Sequence, residues 1–252
     1  MKEIGLLTAS SIRNNLRLKI MIAVQIAVVL MCVVALVLAF CLLLIAPEMA
    51  AEVPNRPALE MYLGLIIFAS SLIGLGINLN VFGFQTMTRE KSRGNLVALL
   101  ATPLKVRHIW LAKSLAVFLP GLVLGEALAL ISLLAVNYVY FVPRIGFLIT
   151  PWMILSSFIA LPAVYFGLSL LAHLIGLTGK PATGNVIVQV FLPVFASLMI
   201  NLAVRHVLEA ASWSFTLANL GLAAVIGVIL LSLQARLTRE RIVLSHWEPI
   251  GA

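Results

Sequence analysis

"MIAVQIAVVLMCVVALVLAFCLLLIA", Met21 to Ala46, runs for 26 residues without a charge, and Gln25 is its one amide. A helix needs roughly 20 apolar residues to cross the hydrocarbon of a bilayer. Barrel strands would instead show segments of about ten residues with weak alternation. The run is also too long for the core of a signal peptide, so it reads as an uncleaved span.

Working outward, similar runs recur along the chain. With the first, Ile20–Ala46, they are Met61–Gly83, Ser114–Phe141, Pro151–Thr178, Val186–Val204 and Trp213–Ala235. The composition agrees: 62% hydrophobic, 10% charged, mean hydropathy +1.13. The expectation is an all-α integral membrane protein of six transmembrane helices, forming a single domain over residues 1–252. Neither internal repeats nor low-complexity tracts interrupt it.

Charge sets the orientation. With a cytoplasmic N-terminus and six spans, only Arg56, Arg144 and Arg205 of the 17 Lys and Arg fall outside. This bias follows the positive-inside rule and puts both termini in the cytoplasm. It also accounts for a net charge of +8 without nucleic acid, since basic loops sit well beside anionic headgroups. Glu48, Glu52 and Glu60 fall in the first outer loop.

Residues 1–19, "MKEIGLLTASSIRNNLRLK", precede the first span. Ile4, Leu7, Ile12 and Leu16 can form an apolar stripe, with Arg13, Arg17 and Lys19 at its basic end. Two readings stand: an amphipathic helix in the membrane interface, or plain topology-setting charge. The outer loops, Pro47–Glu60, Val142–Thr150 and about 205–212, are too short for a folded domain. Tyr138, Tyr140, Phe141, Trp152 and Trp213 suit an aromatic belt. Cys32 and Cys41 read as small apolar fillers, neither disulfide nor metal ligands. The tail, residues 236–252, is too short to be a second domain.

One segment is unlike the rest: "REKSRGNLVALLATPLKVRHIWLAK", Arg89 to Lys113. It opens with Arg89, Glu90, Lys91 and Arg93. Leu96, Leu99 and Leu100 then share a helical face. Thr102 precedes Pro103, which disfavours helix there. Val106, Ile109 and Trp110 lead back into the membrane. Pattern alone allows a basic interfacial loop, or a short helix whose apolar face meets lipid or a partner's groove.

This segment resembles the signature of ABC-2 family exporter permeases, a charged Glu and a Gly followed by an "LLATP"-like run and a Lys entering the third span. The matches are Glu90, Gly94, Leu99, Leu100, Ala101, Thr102, Pro103 and Lys113. Asn95 departs from the family, which often has Thr there. The resemblance extends at low specificity to the whole chain, with its six spans and basic amphipathic N-terminus. It implies a cytoplasmic coupling segment over 89–104 that docks on a separate ATPase subunit, through Arg89, Glu90, Gly94, Leu96, Leu99, Leu100 and Pro103. It implies an N-terminal interfacial helix, a second copy of the permease, and ATP and Mg bound only in the partner. The setting it implies is the cell membrane.

Missing motifs support this division of labour. "GLTGKPATG", Gly176–Gly184, lacks the Ser or Thr of a phosphate-binding loop after Lys180 and has no nucleotide domain around it. Neither H-E-x-x-H nor G-x-S-x-G occurs, and the chain contains no Asp. No metal site is expected.

Glu126 is the one carboxylate deep in a span. A charged side chain at such depth costs about 2.5–3.5 kcal/mol on insertion scales and is usually functional. It reads as a pathway or proton contact, or as a carboxyl hydrogen-bonded between helices. Gln25, Asn78, Asn80, His173, Asn185, Gln189 and Asn201 read as hydrogen-bond partners between helices. Two other functions stay open: an ion-gradient-driven transporter with Glu126 as its proton site, and a non-transporting membrane scaffold.

Overall fold

A computed structural model describes residues 2–15, 17, 19–92, 95–179, 181–205 and 209–247. Side chains are described for these except at 2, 81–90, 92, 95, 181, 182, 185, 203, 204, 236, 246 and 247. Among them there are helices and turns and no strand. That is the outcome an apolar solvent imposes: each backbone N–H and C=O must find its partner within its own segment.

The order is α1 Lys2–Asn15, α2 Lys19–Ala50, α3 Arg56–Ser92, α4 Asn95–Leu100, α5 Val106–Phe141, α6 Pro151–Thr178, α7 Pro181–Val204, α8 Trp213–Leu233 and α9 Arg239–Trp247. Among the described residues five helices are long and apolar enough to cross a membrane: α2, α3 over Arg56–Asn80, α5, α6 and α8. The expected fifth span falls in α7, whose described apolar part, Val186–Leu202, is shorter than the others. The tail is not a loose extension, for α9 folds back and Leu237 and Ile242 are buried in the core.

α3 is the central helix. Of its most apolar window 83% is buried, against 22% in α2 and in α8, which present their sides outward. It packs on α2, α5, α6 and α7. Small residues make the α3–α5 seam. A Cβ at Gly74 would stand 2.6 Å from Gly125 Cα, and one at Gly121 would stand 2.7 Å from Asn78 Nδ2. Farther along, Ser70 Oγ and Ser132 Oγ are 3.1 Å apart. The pairs 78 with 121, 74 with 125 and 70 with 132 describe one antiparallel seam. Lipid tails are as apolar as leucine, so close backbone approach and polar cross-links replace a hydrophobic drive between helices.

The core falls into two main parts. One gathers Phe68, Trp110, Tyr165, Phe195 and Phe215 with the residues of α4 and α9. The other joins Ile45, Leu59, Leu63, Phe141, Leu148 and Met153 at the opposite end. There Asn137, fully buried, accepts from Leu148 N at 2.6 Å and donates to Leu148 O and Leu133 O at 3.1 and 3.0 Å. It thereby pins the 142–150 loop. Thr150 and Ser212 cap the helices that follow, accepting from Met153 N and Phe215 N.

α1 runs alongside the first turns of α5. Glu3 Oε2 lies 3.1 Å from His108 Nδ1, and Thr8 Oγ1 donates to Ala112 O at 3.4 Å. Ile4, Leu7 and Ile12 of the expected stripe are half-buried; Thr8 and Asn15 are buried beside them, and Leu6 faces outward at 73% exposure. Leu16 lies outside the described residues.

Candidate functional site

The segment after α3 forms the two-part unit its sequence suggests. α4 spans Asn95–Leu100. Thr102 Oγ1 donates to Leu99 O at 2.6 Å, and Pro103, which has no N–H, ends the helix. α5 restarts at Val106, with His108 N bonded to Lys105 O at 2.9 Å. Helix ends leave carbonyls without partners. Arg239 of α9 serves two carbonyls of the break itself, donating through Nη2 to Leu104 O at 2.7 Å and Thr102 O at 3.2 Å.

The expected docking face is divided. Leu96 and Leu100 are buried in the chain's own core, 4% and 6% exposed, and Leu99 packs against it partly buried. Residues i and i+4 share a helix face, so that face is spent on folding. What α4 and its break present outward is Val97, Ala98, Ala101, Pro103 and Lys105. Arg89 and Glu90 belong to α3, but their side chains, and Gly94 as a whole, lie outside the described residues.

Two charged residues that spacing did not single out organise this end. Lys91 is buried, and its Nζ donates to Gly179 O at 2.6 Å and Ser245 Oγ at 3.0 Å. Ser245 Oγ in turn donates to Leu177 O at 3.1 Å. Together Lys91 and Arg239 join the 89–104 segment, the α6–α7 turn and α9. With α1 on α5, every element expected in the cytoplasm meets at one end of the molecule.

Glu126 follows Gly125 on α5, where the helix presses on Ser71, Gly74 and Leu75 of α3. Both of its carboxylate oxygens are buried without a hydrogen-bond partner among the described residues. An ionised carboxylate in such a place is costly unless paired. The other intramembrane polar groups are mostly satisfied. Gln25 Nε2 donates to Asn78 Oδ1 at 3.2 Å, and Asn78 Nδ2 to Val117 O at 2.6 Å, as expected of contacts between helices. Asn80, His173 and Asn201 instead bond to carbonyls four residues back on their own helices. No group of three His, Cys, Asp or Glu could hold a metal among the described residues.

A polar ridge marks the outward side of α7. Ser197, Asn201 and Arg205 stand at i, i+4 and i+8, all exposed, beside Val194 and Leu198. With Pro193 and Leu202 they line a broad open hollow of about 590 Å³.

No family model, curated protein or solved structure matches the chain.

Proposed function

We propose that this chain is the membrane-spanning permease subunit of an ATP-driven exporter of the ABC-2 type. Six spans, with both termini in the cytoplasm of a cell membrane, carry the substrate path. A separate ATPase chain hydrolyses ATP. The observation that carries this reading is the helix–proline–helix unit of Asn95–Val106, seated on the chain's own core and tied to α9 by Arg239 and, through Lys91 at the end of α3, to the α6–α7 turn. A surface seated in this way transmits a push from a partner into α3, α5 and α6 together. The sequence "LLATP" and its flanking Glu90, Gly94 and Lys113 supply the family likeness.

The energetics are those of population shift. Nucleotide favours one arrangement of the permease only through the partner's different affinity for the two arrangements. A second copy of the chain suits the exposed polar ridge of Ser197 and Asn201 on α7, with Arg205 just beyond its end. Co-purification from mild detergent with a soluble chain bearing a phosphate-binding loop tests the proposal. Recovery of such a chain from wild type, and its loss on Val97→Asp, supports it; absence across several detergents overturns it.

Glu126 supports a second reading, an ion-gradient-driven carrier with this carboxyl as its proton site. Uptake into vesicles that follows an imposed proton gradient without ATP, and fails in Glu126→Gln, would favour it over the ATPase-driven permease.

A further inference from the structure

Two hollows adjoin where α1, α2 and α5 meet. The first, about 410 Å³, is lined by Ser10, Ser11, Arg13, Asn14, Arg17 and Lys113. Three of these six are cations and the others carry hydroxyl or amide donors; no carboxylate is among them. The second, about 150 Å³, has walls that are mainly apolar, from Ile12, Ile22, Ile26, Ala116, Pro120 and Leu124.

The two share their supports. Asn14 lines the first and its neighbour Asn15 the second. Lys113, Ala116, Pro120 and Leu124 follow at intervals of three or four along α5, one helix face. Ala116 sits only ~4.5 Å along the axis from Lys113, at 1.5 Å per residue. A basic pocket and an apolar slot thus lie about one turn apart along the same face of α5.

From this juxtaposition we infer a binding site for one anionic phospholipid. Its phosphate lies among Arg13, Arg17 and Lys113, and the start of one acyl chain lies in the slot against Ala116, Pro120 and Leu124. Arg presents a fork of donors matched to phosphate oxygens, and Lys adds a point charge. Juxtamembrane cations attract anionic lipid. The site has a mechanical consequence: the lipid fastens α1 to α5. Free phosphate would fill the basic pocket but leave the slot empty, which favours the lipid.

The test uses the full chain, purified in mild detergent and returned to nanodiscs or titrated with lipid. Native mass spectrometry counts bound lipid, and the thermal midpoint reads its effect. The expected result is one phosphatidylglycerol retained per chain, with phosphatidylcholine bound at least tenfold more weakly. Arg13→Gln/Arg17→Gln/Lys113→Gln removes that preference. Ala116→Phe, which fills the slot, weakens both lipids. Inorganic phosphate at millimolar concentration raises the midpoint far less than phosphatidylglycerol. Equal binding of the two lipids by wild type overturns the inference without any variant. An equal effect of inorganic phosphate also overturns it, assigning the pocket to a soluble anion.

Discussion

Lys91 Nζ donates to the carbonyl oxygen of Gly179 at 2.6 Å, although 88 residues separate them. Gly179 is the residue at which α6 stops, and its carbonyl has no further helical turn to bond. A buried cation from the end of α3 supplies the missing donor and, through Ser245, extends the contact to α9. Hydrogen bonds to charged groups contribute roughly 1.5–3 kcal/mol each. Lys91→Met therefore loosens α9 while leaving the spans inserted. Trypsin digestion checks this: cleavage at Arg239 and Arg241 is expected to accelerate at least tenfold, with unchanged fragments from the membrane core.

The α3–α5 seam has no room for side chains at Gly74 or Gly125. Gly125→Leu must part the helices, and overpacking of this kind costs about 1–3 kcal/mol. A lower thermal midpoint in detergent is expected. Gly227→Leu on α8, where a Cβ would meet nothing within 4 Å, is the matched control and does not lower the midpoint.

Leu96 and Val97 are neighbours in sequence with opposite surroundings, at 4% and 37% exposure. Leu96→Asp buries an unpaired charge and is expected to abolish stable expression. Val97→Asp is expected to express normally, as a surface change within about 0.5 kcal/mol of wild type. If the proposed permease reading holds, vesicles that also contain the ATPase chain show less transport per ATP hydrolysed with Val97→Asp. Full coupling in that variant would remove the docking role from this face.

Asn137 makes three hydrogen bonds that hold the 142–150 loop. Asn137→Leu leaves Leu148 N and O without their partner, at about 1–3 kcal/mol for each buried group left unpaired. Hydrogen exchange across 142–150 is expected to quicken by tenfold or more, while exchange in α3 is unaffected.

Glu126 carries two buried oxygens with no donor among the described residues. Glu126→Leu removes that cost and is expected to raise the thermal midpoint of the purified chain. A lower midpoint, or loss of oligomer on native gels, would mean that another chain supplies the partner.

Much of the architecture was legible beforehand because apolar length is a local property. The sixth and second spans could be drawn to within a few residues at one end, as Trp213–Ala235 against α8 and Met61–Gly83 inside α3. The break at Pro103 was legible too, because a missing N–H acts wherever it occurs. The orientation of α4 was not. Leu96, Leu99 and Leu100 make the same stripe whether it faces a partner or the chain's own core, and periodicity is blind to what lies opposite. Lys91 read as one more topology-setting charge, since nothing in "REKSRG" announces the Gly179 carbonyl across the fold.

By itself the sequence determined that the chain is helical and suited to an apolar solvent, and that a helix breaks at Pro103. Those outcomes follow from side-chain chemistry and from backbone groups that must bond within a few residues. Tertiary structure alone decided which faces meet: that Gly74 rests on Gly125, that Lys91 and Arg239 tie one end together, and that Arg13, Arg17 and Lys113 surround one hollow. These depend on the packing of segments some hundred residues apart, where several pairings satisfy the same pattern and steric fit selects one.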